Sequence, residues 1–203
     1  MEFRNLFPTT ILGENLSNIS SLKNQEYYNF LNNPKTIYTL DEDNKDSGYT
    51  IIQNLLNIPL FSDLKTQIFK YARLYLDKLG HKYEDIQIIN SWGTRTVNGQ
   101  KSQQHNHSNS YISGVYYLSN GSDILFFNPQ MKKWIFTPEI EFKKDNPLNH
   151  ESYYITPTSS LLLLFPSYLY HQIEKHKGPD RFSIAFNIIP KGEFGSPTGK
   201  LYL

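Results

Sequence analysis

Cysteine is absent from the 203 residues. That removes disulfides, thiolate zinc sites, iron–sulfur clusters and a cysteine nucleophile from the range of functions. Charge imbalance is missing too: 20 Lys and Arg face 19 Asp and Glu, for a formal net charge of +1. The chain therefore has no electrostatic footprint for nucleic acid and no acidic tail. Long apolar runs are lacking, and "SLLLLF" is far too short to cross a bilayer. The opening "MEFRNLFPTTILGENL" has no basic stretch followed by a long apolar run, so it does not read as a secretory leader. The expectation is a protein of the reducing cytoplasm, of the host if phage-encoded. Its partner would be a small-molecule or peptide substrate, neither nucleic acid nor membrane. The oligomeric state is left open, a homodimer included.

What is present is aromatic. Phe, Trp and Tyr make up 15% of the chain, enough for aromatic bulk to fill much of a core. The length suits a single domain over 1–203, split into a helical and mixed part, 1–85, and a strand-rich part, 86–190. In the first part "LFPTTIL" reads as a strand and "NISSLKNQEYYNFLNN" as a helix stopped by Pro34, while "DEDNKDSG" reads as a polar loop. The clearest helix is predicted from Asp63 to Leu79, with Ser62 as N-cap and Gly80 just past its end. Leu64, Ile68, Ala72, Tyr75, Leu76 and Leu79 form its apolar stripe.

From residue 86 the period changes to two. "DIQIINSWGTR", "YISGVYYL", "DILFFNP", "SYYITPTSSLLLLFP" and "RFSIAFNIIP" are strand candidates between Gly, Asn, Pro and Ser clusters. Helices followed by many short strands imply an α+β protein built on a β-sandwich or jelly roll. The runs around 128–154 form a long excursion between strands, read either as a cover for a pocket or as a plain surface loop. The tail "KGEFGSPTGKLYL" is either loosely ordered or packs late on the sheet.

The stretch "QQHNHSNSYISGVYYL" carries the chemistry. In a strand, residues two apart share a face, so His105 and His107 would project side by side. His171, in "LLLLFPSYLYHQI", follows a buried-looking strand and a Pro turn. A jelly roll can bring these three to one interior point, and a metal held on one face with open positions suits non-haem iron oxygenases and zinc hydrolases alike. Downstream, Arg181, Ser183, Ala185 and Asn187 share a strand face. A planar guanidinium beside a hydroxyl suits a carboxylate. Tyr111, Ser113, Val115 and Tyr117 would face inward with the histidines if the pleat continues. Trp92 is read as lining the pocket mouth or as core, and Asn187 as structural. His81, His150 and His176 sit in polar stretches and are read as solvated.

Together, "HNH…SGVYYL…FPSYLYHQI…RFSIAFN" resembles the 2-oxoglutarate/Fe(II)-dependent oxygenases. The likeness is nearest to a bacterial and phage branch with an "HxHP…SGVYYL…FPSxLxH…RxSxxFN" pattern. It spans about residues 88–190, with weaker traces in "LFPTTI" at 6–11 and "SGYT" at 47–50. The resemblance implies a double-stranded β-helix of jelly-roll type, with Fe(II) and 2-oxoglutarate as cofactor and cosubstrate. Carried over by position, His105, His107 and His171 would be the metal ligands and catalytic centre. Arg181 and Ser183, helped by Tyr117, would anchor the distal carboxylate. The implied reaction is oxidative decarboxylation of 2-oxoglutarate coupled to hydroxylation of a substrate that the sequence does not identify.

One departure stands out. The superfamily usually has a carboxylate where this chain has His107, so three neutral imidazoles would leave an Fe(II) site at charge +2 instead of +1. Ser108 also replaces the branch's Pro. A three-His site equally resembles thiol dioxygenases and three-His zinc centres. The rivals are therefore a three-His metalloenzyme without oxoglutarate, and a non-catalytic jelly-roll binding module. A carboxylate such as Asp123 or Glu139 is the alternative ligand should His107 turn away.

Overall fold

Alternating apolar side chains give a strand two faces, and in this protein the two faces pack against different things. The computed structural model describes residues 2, 7–19, 21–39, 46–130, 143–144 and 149–203. A seven-stranded antiparallel sheet is built from β1 (Leu12–Asn15), β2 (Tyr38–Thr39), β3 (Gly48–Thr50), β4 (Asp85–Thr96), β5 (Ile112–Tyr117), β8 (Leu161–Pro166) and β10 (Arg181–Lys191). Their order is β1-β8-β5-β10-β4-β3-β2. A second sheet, order β7-β6-β9, holds β6 (Ile124–Phe127), β7 (Ser152–Ile155) and β9 (His171–Ile173). Helices α1 (Ser21–Leu31) and α2 (Ser62–Lys78) belong to the N-terminal part.

On β10, Phe182, Ile184, Phe186 and Ile188 join Ile112 and Tyr116 of β5 in a core shared with Leu31 of α1 and Leu64, Ile68 and Leu76 of α2. Each such side chain, fully buried, contributes about 1.5–3 kcal/mol. Gly114 lies on this crowded side, where an added Cβ would stand 2.3 Å from Phe186 Cζ, so no larger residue fits without displacing the ring. The opposite face builds a second cluster. Val115 and Tyr117 of β5 and Leu163 and Phe165 of β8 meet Ile124 and Phe126 of β6, with Ile155 and Ile173 packed against them. That cluster is the jelly-roll interior, where the two sheets face each other.

The α+β expectation and all five period-two stretches correspond to this architecture, with "SYYITPTSSLLLLFP" dividing into β7 and β8. Several details differ. "LFPTTIL" is not a strand over its described residues, and pairing begins only at Leu12, opposite Leu164. Ser62 is not an N-cap. A 3-10 turn at Pro59–Phe61 runs directly into the helix, so Ser62 already has helical φ −57° and ψ −41°. Gly80 does take the left-handed conformation, φ +74°, that ends the helix. Leu79 of the expected stripe is 36% exposed, because the helix terminates before that turn reaches the core. The tail pairs with itself, Glu193–Phe194 (β11) against Leu201–Tyr202 (β12). The polar loop after Thr39 and most of the long excursion, Glu139 included, lie outside the described residues.

Candidate metal centre

The segment carrying His105 and His107 is not a regular strand. It makes one antiparallel bridge, His105 to His171, with backbone hydrogen bonds of 2.9 and 2.8 Å in the two directions. The His107 N–H then donates to Ser167 O at 2.9 Å. Asn109, at φ +58°, turns the chain toward β5 before a longer ladder can form. These few bonds extend the smaller sheet beyond β9 and set the two rings beside the third.

The three side chains meet. One ligand nitrogen from each of His105, His107 and His171 lies within 4.8 Å of the other two. The ring centroids stand 4.4 Å apart for His105 and His171, and 5.2 Å apart for each of the other two pairs. His105 Nδ1 lies 2.8 Å from Gln103 O, and His171 Nδ1 lies 2.9 Å from Leu169 O. A carbonyl only accepts, so each Nδ1 carries the proton and each Nε2 keeps its lone pair for a metal. Phe165 packs on the His171 ring at 4.8 Å and Phe126 at 6.0 Å. This burial, reinforced by the neighbouring His105, pushes the His171 pKa down to about 3. Burial and His105 likewise push His107 down to about 4. Both rings are neutral at pH 7, the state in which imidazole binds a metal. Asp123 is not part of this cluster.

The inner face of the larger sheet supplies the second element. Register places Asn90, Asn187, Ser113 and Phe165 in one row, then Trp92, Ala185, Val115 and Leu163, then Thr94, Ser183 and Tyr117, and finally Thr96 and Arg181. The expected parity of Ser113, Val115 and Tyr117 corresponds to this face. Tyr111 does not: it is 43% exposed, and its hydroxyl meets His81 Nε2 at 2.9 Å. The turn at 108–110 breaks the alternation before Ile112. Trp92 lies against His107 with 5.9 Å between ring centroids, so it borders the metal cluster.

Arg181 is almost fully buried, yet its Nε and Nη2 have no hydrogen-bond partner. Its guanidinium lies 4.8 Å from the centre of the Tyr117 ring. The Tyr117 hydroxyl is close enough to favour the cation electrostatically, but it is aligned for no hydrogen bond and is itself buried without a partner. Burial lowers the Arg181 pKa from its usual value and raises Tyr117 to about 12. No carboxylate of the described residues pairs with Arg181. An uncompensated buried cation costs several kcal/mol, and a carboxylate bound at the guanidinium would remove that cost. Between this end and the histidines the inner face of β10 carries only Ser183 and Ala185, both small side chains. The residues present therefore fit both a metal and an elongated diacid.

Thr94 was not singled out in the sequence, although it shares a face with Trp92 two residues away. Its Oγ1 lies 2.5 Å from Ser183 Oγ, so the Ser183 hydroxyl is one half of a pair. Asn187 has the structural role expected of it. Ser113 Oγ–H donates to its Oδ1 at 2.7 Å, and its Nδ2 donates to Asn90 Oδ1 at 2.9 Å. Ser113 Oγ also lies 2.9 Å from Ser167 Oγ. His176 is not solvated: it is 2% exposed, with Nε2 donating to Pro179 O at 2.7 Å and Nδ1 at 3.0 Å from Ser122 Oγ. His150 is half-buried and stacks on Tyr153. Among the described residues, no helix is long and apolar enough to cross a membrane.

Residues 90–187 match the family described as "Putative 2OG-Fe(II) oxygenase". No curated protein matches the sequence. Solved structures share the fold at low identity. A Pseudomonas putida prolyl-4-hydroxylase is 13% identical, with 91% of this chain and 94% of that one covered and a TM-score of 0.61. HygX from Streptomyces hygroscopicus, with nickel and 2-oxoglutarate bound, is 15% identical over 90% and 83%, TM-score 0.55. The alpha ketoglutarate dependent epimerase SnoN from nogalamycin biosynthesis is 11% identical over 94% and 82%, TM-score 0.64.

Proposed function

We propose, from the match of residues 90–187 to the family described as "Putative 2OG-Fe(II) oxygenase", that this protein is a 2-oxoglutarate-dependent dioxygenase that hydroxylates its substrate. The observation that carries the reading is the pairing of three converging imidazoles with an unpartnered buried guanidinium inside one jelly roll. His105, His107 and His171 are the residues to hold Fe(II). Arg181, Tyr117 and Ser183 are those to hold the far carboxylate of 2-oxoglutarate, the ligand that HygX carries alongside nickel. Iron and 2-oxoglutarate bound there would let dioxygen act as the oxidant, one oxygen atom going to the succinate left when 2-oxoglutarate loses carbon dioxide and the other to the substrate C–H bond.

The chain's own residues have three tasks. The carbonyls of Gln103 and Leu169 hold the Nδ1 protons of two ligand rings and so fix which nitrogen faces the metal. Arg181 offers Nε–H and Nη2–H to an anion in a dry setting, where a charged hydrogen bond is strong. Phe126, Phe165, Leu163 and Val115 exclude water from the interior. Trp92, half-exposed beside His107, stands where a substrate would enter.

The experiment is anaerobic addition of 2-oxoglutarate to the Fe(II)-loaded protein. A weak visible charge-transfer band and, on admitting oxygen, succinate release are expected. If neither appears while the metal stays bound, the protein is a three-His metalloenzyme of another kind, a reading that the lack of a carboxylate in the cluster among the described residues would favour.

A further inference from the structure

Gly121 and His176 have no part in the chemistry above, yet both bear on Arg181. A Cβ added to Gly121 would lie 2.3 Å from Arg181 Cδ, 2.9 Å from Cγ and 3.0 Å from Nε. Gly121 has no positive φ to explain the residue choice. The reason for glycine here is contact with the arginine. Arg181 thus meets the bare backbone of Gly121 along its stem and the face of the Tyr117 ring at its guanidinium.

The segment 118–122 that bears this glycine is tied down at both ends. Leu118 N–H donates to Phe182 O at 3.0 Å, and Phe182 N–H donates to Ser119 Oγ at 3.1 Å, so one end is fastened to the residue after Arg181. The other end is fastened by Ser122 Oγ to His176 Nδ1. The His176 ring continues through Nε2 to Pro179 O, two residues before Arg181. The His176 backbone is itself held, its N–H by Gln100 O at 2.7 Å and its carbonyl by Gly99 N–H at 2.8 Å. A cavity of about 560 Å³ is lined by Ser119, Gly121, Ser122, His176 and Asp180, so the segment that touches the arginine also borders this cavity.

We propose that residues 118–122, closed by His176, form a collar that presets the Arg181 guanidinium for the distal carboxylate. Gly121 and His176 are then positioning residues for cosubstrate recognition. The collar rests on the 2-oxoglutarate reading above. An arginine side chain loses much rotamer freedom on ordering. The collar makes that loss part of folding, so that it does not oppose ligand binding. An arginine held at both its stem and its guanidinium has little freedom with which to follow a longer or shorter diacid, so the collar also sets the length accepted.

The test uses the full chain loaded with Ni(II), titrated calorimetrically with 2-oxoglutarate, alongside separate measurements of Ni(II) affinity and thermal midpoint. Gly121→Ala should weaken 2-oxoglutarate about tenfold or more, since misplacement by an ångström is enough to cost that much, with Ni(II) affinity unchanged. His176→Leu, which removes both ring hydrogen bonds, should also weaken it. His176→Gln, whose amide can donate and accept, should recover most of the loss. A general loss of structure would lower Ni(II) affinity too, which the collar does not predict. Wild-type affinity for 2-oxoglutarate in both Gly121→Ala and His176→Leu would overturn the collar while leaving the cosubstrate reading intact. If Gly121→Ala does not fold, the His176 pair decides alone. If the Ni(II)-loaded wild type binds no 2-oxoglutarate, the cosubstrate reading fails first and the collar with it.

Discussion

The Arg181 guanidinium lies over the ring of Tyr117, 4.8 Å from its centre, and neither side chain satisfies the other by a hydrogen bond. Two buried polar groups are thus left wanting at one place, and each prediction about cosubstrate binding starts there.

Arg181→Met keeps the length and apolar contacts of the side chain and removes the charge. Because that charge has no counter-ion among the described residues, the metal-free protein should be as stable as wild type or more stable, by up to about 4 kcal/mol. Affinity for 2-oxoglutarate should fall by about 2–5 kcal/mol. Urea unfolding and calorimetry measure the two effects, and a variant destabilised without ligand would contradict an uncompensated cation.

His105→Ala and His171→Ala should each abolish tight Fe(II) binding. His107→Ala should lower it markedly, whereas Asp123→Ala should not change it, since Asp123 lies outside the cluster. His107→Asp should retain iron while lowering the site charge by one, although the shorter side chain makes that rescue partial. Metal content after desalting reads all five. Iron retained in His105→Ala and His171→Ala would sink the three-His assignment.

Acid should destabilise the metal-free protein through two histidines. His171 and His107 have folded-state pKa values of about 3 and about 4, below the ordinary 6.5. Below about pH 6.5 the unfolded chain therefore binds protons that the folded chain refuses. Stability is fully present above that pH and is lost as pH falls through 4 toward 3. Denaturant midpoints at pH 7.5, 6 and 5 should decline, and His171→Gln should flatten the decline. An unchanged slope in that variant would argue against a buried neutral imidazole.

Asn187→Ala should cost about 1–3 kcal/mol, because it removes the acceptor of the Ser113 hydroxyl and the donor to the Asn90 side-chain oxygen. Ser113 also holds Ser167, whose carbonyl takes the His107 N–H. Metal affinity should therefore fall along with stability. A stability loss with no change in metal affinity would confine the network to a packing role.

The sequence by itself determined the strand-rich half and which three histidines come together. Period-two alternation and short apolar runs between turn residues are local properties, and β4, β5, β6, β8 and β10 lie where those runs placed them. Convergence of His105, His107 and His171 was legible from residue type and spacing, and Arg181 from its register with Ser183. Local reading failed where a neighbour set the outcome. Ser62 lost its cap role to a 3-10 turn that Pro59 began, and His176 was judged by polar neighbours in sequence when its partners, Ser122 and Pro179, come from packed loops. Only the tertiary structure decided that Thr94 pairs with Ser183, that Asn187 joins Asn90 to Ser113, and that Gly121 touches Arg181. Those are cross-strand and loop contacts, fixed by the register of β4, β5 and β10. Period-two alternation identifies which residues share a face, but it does not specify which residue on the next strand lies opposite.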